Sequence, residues 1–299
     1  MTGKLKTAHD TYCQSMMENM EVASSLFKAY LPIELVHALD WSTLAITDAV
    51  MRPTGKKPLY TDITYHIYTH APKGNVYLHV EQERTIQAIV AERNAQYEAA
   101  LNLKHLKQGH KKLPLIYHFV VYNGDKAAYP DPADTNARFE RHDLLPFFPS
   151  IPACPFKLLN LNCYEDATLS TQGTCGLMLL LLKKASKEGF LTWMRSHKQL
   201  LRLLTTSPLM IIPSLDYTHN VREEDSEAIV ATFVYVYPEL NDDIMTAMQK
   251  LEARVGEKKT LEIARTMLLK GYKSEAIRDI TALELHQIQD LLSSKRDWL

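Results

Sequence analysis

The strongest constraint on the fold lies between residues 60 and 124, where two strand-like runs, a breaker-free segment and a third strand-like run follow one another. "YTDITYHIYT" (60–69) and "NVYLHVEQE" (75–83) are rich in Tyr, Ile, Val and Thr and are separated by a Pro-Lys-Gly-Asn turn, which reads as an antiparallel hairpin. From Thr85 to Lys107 there is no Pro or Gly, and Ile86, Ile89, Val90, Tyr97, Ala100 and Leu101 recur at helical spacing. Gly109 ends that helix, and "LPLIYHFVVYNG" (113–124) reads as a strand closed by an Asn-Gly turn. A helix between two strands of one sheet has to cross over, so it makes part of the sheet parallel and covers a face. The pattern predicts an α/β fold.

Around this centre, residues 9–29 have helical composition with Pro32 just beyond, Val36–Leu39 adds a short turn, and "LAITDAV" (44–50) reads as a strand followed by the loop "RPTGKKP". The Pro-, Asp- and Asn-rich stretch 125–174 reads as irregular, and the chain from 175 as mostly helical. Three regions are expected: a core at 1–124, an irregular then helical extension packed on it at 125–254, and a small helical module at 255–299. A chain that is 46% hydrophobic and 23% charged is expected to fold throughout. Its four cysteines are far apart and lack C-x2-C pairing, the usage of a reduced cytoplasmic protein. The N-terminus lacks the apolar run of a secretion signal, and "GLMLLLL" (176–182) stops at Lys183-Lys184, too short to cross a bilayer, so a membrane partner is not expected. The net charge of −1 leaves a nucleic-acid partner to be decided by local clustering.

Three carboxylates sit where a packed sheet would prefer neutral groups. In 75–83, period two puts Tyr77, His79, Glu81 and Glu83 on one face, and in the preceding run Asp62 shares a face with Thr64 and His66. Antiparallel pairing through the 70–74 turn can bring Asp62 near both glutamates. Their repulsion is relieved by a divalent cation with hard oxygen ligands, which could activate water for attack on a phosphodiester. The alternative is that the glutamates are solvated charges at a strand end and Asp62 caps a turn.

The segments "HDTYCQSMM", "EVASSLFKAYLP", "LDWSTL", "YTDITY", "VYLHVEQERT" and "LPLIYHFVVYNG", in this order, resemble the Rpn family of recombination-promoting nucleases, also described as YhgA-like transposases, within the PD-(D/E)XK superfamily. The resemblance implies a restriction-endonuclease-like core with a mostly helical C-terminal region. It also implies Asp62 and Glu81 as ligands of Mg²⁺ or Mn²⁺, with Glu21 in "MEVASSLF" as an added acid. Glu83 stands where the superfamily usually has Lys and many Rpn-like sequences have Gln. It is then a third ligand or a base toward water, with positive charge supplied by Arg93, or else it leaves the site weak or inactive.

Two basic or helical features complete the reading. "KHLKQGHKK" offers Lys104, Lys107, Lys111 and Lys112 as phosphate contacts or as a solvated helix end. Residues 260–292 read as two short helices and the start of a third, with Ile263, Met267, Leu268, Ile277, Ile280, Leu283 and Ile288 as apolar positions, either a DNA-reading helix-turn-helix or a hairpin that pairs protomers. The expected function is a metal-dependent DNA endonuclease linked to recombination or mobile elements and acting as a dimer. The alternative is a catalytically weak or inactive relative that binds DNA or protein.

Overall fold

The computed structural model describes residues 7–47, 63–85, 90–126, 156–222 and 226–293. The chain divides into two compact units, Met1–Pro238 and Glu239–Leu299.

The first unit opens with α1 (Ala8–Met17) and α2 (Met20–Tyr30) in place of the single helix expected over 9–29. A capping box starts α1: Thr7 Oγ1 accepts from the Asp10 amide at 3.2 Å, and the Asp10 carboxylate accepts from the Thr7 amide at 2.8 Å. The break follows from Asn19, whose side chain accepts from the Glu21 amide at 2.9 Å and so begins a new helix. α3 (Ile33–Ala38) lengthens the short turn expected at 36–39. β1 (Leu39–Ile46) begins five residues before the strand expected at 44–50, whose last residues, 48–50, lie outside the described residues. β2 (Ile63–Thr69), β3 (Asn75–Glu83), α4 (Val90–Lys107) and β4 (Leu115–Tyr122) follow in the expected order. β5 (Lys157–Asn160) was not foreseen in the irregular stretch.

The five strands form one sheet in the order β1-β2-β3-β4-β5. β2 is antiparallel to β1 and to β3, whereas β3–β4 and β4–β5 are parallel. The fold is therefore α/β with a mixed sheet, and α4 is the crossover between the parallel strands β3 and β4. β3 has neighbours on both sides, and every residue of it from Val76 to Glu83 is buried. Tyr65, Ile67, Val76, Leu78 and Phe119 line one sheet face. Phe27 of α2 packs there, with its ring 5.2 Å from Tyr65 and 5.4 Å from Phe119.

Helices α5 (Asp166–Ser170), α6 (Cys175–Lys184), α7 (Phe190–Ser196), α8 (Lys198–Leu204), α9 (Pro208–Val221) and α10 (Ser226–Val236) complete the unit. The apolar run 176–182 lies in α6 and is buried throughout. α9 packs on α1: Tyr217 stacks on Tyr12 at 4.2 Å, and the Tyr12 hydroxyl meets Ser214 Oγ at 3.0 Å.

In the second unit, α11 (Asn241–Leu269) runs unbroken through position 255 and is followed by α12 (Ser274–Thr281) and α13 (Leu285–Ser293). Gly271, at φ 82°, turns the chain out of α11. Ala264, Met267, Leu268, Ile277, Leu283, Ile288 and Leu291 form its core. Ile263 and Ile280, two of the apolar positions of the sequence pattern, are exposed. Among the described residues, no helix is long and apolar enough to cross a membrane.

Candidate metal and phosphodiester site

One stripe of α4 reads against one face of β3. Arg93, Tyr97, Leu101 and His105 recur every four residues, a step of about 6 Å along a helix, while alternate residues of a strand advance by about 6.6 Å. The two spacings nearly match, so the helix stripe follows the strand face along its length. His105 meets Tyr77, Leu101 packs on Tyr77, Tyr97 meets His79 with ring centroids 5.0 Å apart, and Arg93 meets the two glutamates.

Arg93 Nη2 lies 2.8 Å from Glu81 Oε2 and donates also to Glu83 Oε1. Glu81 is only 4% exposed and Glu83 1%, which rules out solvated charges at a strand end. Both carboxylates converge on a single nitrogen atom. Burial pushes the Glu81 carboxyl up, but His79, with Nε2 3.7 Å from Glu81 Oε1, and Arg93 outweigh it and hold the group at about 2. Burial lowers the Arg93 pKa, and the two glutamates more than restore it, so the guanidinium is held charged.

A polar layer extends from this pair beneath α4. His79 Nδ1 meets Thr64 Oγ1 at 2.9 Å, and the His118 ring stands 5.5 Å from His79, edge to face. His79 Nε2, both ring nitrogens of His118 and both amide atoms of Asn94 are buried without a hydrogen bond among the described residues. Such atoms mark places for water or a ligand. Burial, with His79 adding to it and Glu81 opposing, lowers His118 to about 3. The sequence reading placed His79 on the face of Glu81 without giving it a role, and did not single out Thr64, Asn94 or His118. Only the two-residue period that groups His79 with Glu81 pointed toward the layer.

The other candidate residues fall elsewhere. Asp62 lies outside the described residues; the next residue, Ile63, pairs with Val80, the neighbour of Glu81. Glu21 is exposed in the first turn of α2, on the helix that packs through Phe27 on the sheet face opposite to α4. Lys104 and Lys107 stand at the far end of α4 from Arg93, and Lys111 and Lys112 follow them. The "HD" of the first helix is structural. Asp10 closes the capping box, and His9 Nε2 accepts from Arg84 Nη1 at 2.6 Å, which leaves the ring proton on Nδ1, 2.7 Å from the Tyr217 hydroxyl. Burial and the Arg84 charge lower His9 to about 4, against the opposing pull of Asp10 and Asp125.

Comparison with known proteins finds relatives of this sequence. A family model described as "Putative transposase, YhgA-like" matches residues 7–210. Recombination-promoting nuclease RpnA of Escherichia coli K12 is 23% identical over 287 residues, covering 94% of this chain and 96% of RpnA. RpnC of the same strain is 27% identical over 124 residues, 42% of this chain and 41% of RpnC. A third relative from that strain, named inactive recombination-promoting nuclease-like protein RpnE, is 23% identical over 122 residues, 41% of each chain. No solved structure matches the chain.

Proposed function

The chain belongs to the family of YhgA-like transposases that the Rpn nucleases represent, and from that premise we propose that it is a metal-dependent DNA endonuclease of the PD-(D/E)XK type, cytoplasmic and linked to recombination. The observation that carries the reading is the convergence of Glu81 and Glu83 on one cationic point. A pair of hard carboxylates aimed at one position fits Mg²⁺ or Mn²⁺, and the orphaned polar atoms of the layer beneath α4 fit the waters such an ion retains. Glu81 and Glu83 would hold the ion, with Asp62 as the proposed third ligand and Glu21 as an added acid. A divalent cation, when bound, stabilises charge on the phosphoryl oxygens and activates water.

The chain's own residues then divide the work. Glu81 stays ionised at neutral pH because His79 and Arg93 favour its charged form. Arg93, with a side chain 20% exposed, reaches from the buried pair toward solvent and supplies the positive charge that the superfamily usually takes from a lysine. Glu83 orients Arg93 and accepts a proton from water. The phosphate groups of DNA are the partner, and a dimer cuts both strands.

One observation favours the second reading, a catalytically weak or inactive relative that binds DNA or protein. Arg93 stands between the carboxylates, where a cation would stand, and RpnE shows that the family contains a member named inactive. Nicking of supercoiled plasmid in Mg²⁺, Mn²⁺ or EDTA separates the two. Metal-dependent nicking is expected, with Glu81→Gln and Asp62→Asn each lowering the rate by about 10²- to 10³-fold while the circular dichroism spectrum is unchanged. No nicking by the parent in either metal establishes the second reading, and parental rates in both variants overturn the assignment of the site.

A further inference from the structure

At the end of the sheet opposite to Glu81 and Glu83, a cleft of about 780 Å³ opens between the β2–β3 turn, the end of α3 and the segment after α4. His37, His70, Lys73, His110, Lys111 and Lys112 line it, and all six are exposed. A neighbouring cleft of about 430 Å³ shares Asn75 and His110 with it and adds His66 and Lys104. No aspartate or glutamate lines either one among the described residues. The whole chain has 35 Asp and Glu against 34 Lys and Arg, so a lining that holds Lys73, Lys104, Lys111 and Lys112 and no carboxylate is a local excess of positive charge, reduced at one side by the Asp40 carboxylate, which acts on His70 and Lys73.

Aromatic rings and an amide position three side chains of the border. Lys73 Nζ stands 4.1 Å over the Tyr68 ring, His110 stacks on His105 at 3.8 Å, and His66 Nε2 bonds Asn75 Oδ1 at 2.8 Å. The Tyr68 ring fixes Lys73 without cancelling its charge, Asp40 offsets part of it, and the exposed Lys111 and Lys112 carry the positive potential offered to a ligand. Both clefts are open rather than enclosed, which suits a chain-like polyanion that passes through more than a small molecule that must be surrounded.

We propose that this pair of clefts binds the phosphodiester backbone of a nucleic acid, at a place separate from the glutamate pair. The choice of nucleic acid among phosphate compounds rests on the nuclease reading. Val76 to Glu83 spans roughly 23 Å along β3, so the cleft engages backbone well away from the carboxylates.

The test is fluorescence anisotropy of a labelled DNA duplex in EDTA, over a range of salt, with the full chain and its Lys111→Ala/Lys112→Ala variant. Both lysines are exposed, and the melting temperature should hold; Lys73→Gln serves as an independent second variant. Affinity should fall by about tenfold, and the slope of log affinity against log salt by about two, whereas Lys187→Ala, an exposed lysine on another surface, should bind as the parent does. Parental affinity and slope in both cleft variants overturn the proposal. So does saturable binding of inorganic pyrophosphate that the double substitution abolishes while duplex affinity stays parental, because the cleft then serves a free phosphate compound. Since binding is read without metal, a parent that binds in the expected way but never nicks DNA refutes the nuclease reading alone. A parent that nicks while its cleft variants bind normally refutes the cleft alone.

Discussion

His118 is an imidazole with no room to become charged. Its buried place beside His79 lowers it from 6.5 to about 3, and burial with Arg84 lowers His9 to about 4. In both, the folded value lies below the unfolded one, so the unfolded chain binds the proton more tightly. Their contribution is complete above pH 6.5 and is lost as the pH falls through 6.5 toward those folded values. Glu81, lowered from 4.5 to about 2, adds stability that is present above 4.5 and lost only as pH falls from there toward 2. Acid weakening should therefore begin with the histidines. His118→Phe keeps the ring's shape and removes the titration, so on going from about pH 7.5 to about pH 5 the variant should gain about 2 kcal/mol relative to the parent. Urea denaturation at the two pH values measures this, and equal losses in both proteins would sink the assignment.

Among the elements, the β3–α4–β4 crossover places the chemistry, and its tightest point is the turn after β4. A Cβ on Gly124 would lie 1.9 Å from the Arg84 carbonyl oxygen, so the Asn-Gly turn can pass the end of β3 only with glycine there. Asn123 anchors the same turn: its amide donates to the Glu83 carbonyl at 3.2 Å, its Oδ1 accepts from Gln82 at 2.6 Å, and its Nδ2 donates to the Leu182 carbonyl at 2.9 Å. Gly124→Ala should cost about 2 kcal/mol or more, by denaturation, through displacement of the strand end that carries Glu83. Parental stability would show that the turn yields freely.

The elements legible in the sequence are those with a local signal. The β2–β3 hairpin shows a two-residue period, α4 shows helical spacing without a breaker, and β4 ends in Asn-Gly. The division between α1 and α2 was hidden because it depends on a single cap at Asn19, without Gly or Pro. β5 was hidden because a strand of four residues owes its state to β4, some 35 residues earlier. At the site, the period showed which face Glu81 and Glu83 share, and Arg93 was already a candidate partner. Their near-complete burial and the polar layer beneath α4 depend on what packs above the strand, which no periodicity within β3 reports. Lys104, Lys107, Lys111 and Lys112 were visible as charge, but their place at the end of the sheet away from the glutamates depends on the direction in which α4 crosses.

For the whole molecule, the decisive fact is that the first helix and the ninth complete each other. Ending the chain at Pro238 removes the second unit and keeps α9, so the remaining protein should melt cooperatively. Ending it at Ser207 removes Ser214 and Tyr217 and uncovers Tyr12 and His9 of α1. That chain should lose its cooperative transition by circular dichroism, and a sharp melt would show that α1 is held by the sheet alone. The pairing of α1 with α9 also sets a clock. At translation speeds of about 5–20 residues per second, roughly 10 to 40 s separate the synthesis of Tyr12 from that of Tyr217. Glu81 and Glu83 leave the ribosome well before the helix that closes the body around them. A polypeptide released before α9 is made therefore carries both carboxylates without the folded frame that aims them, and any cutting activity waits for that helix.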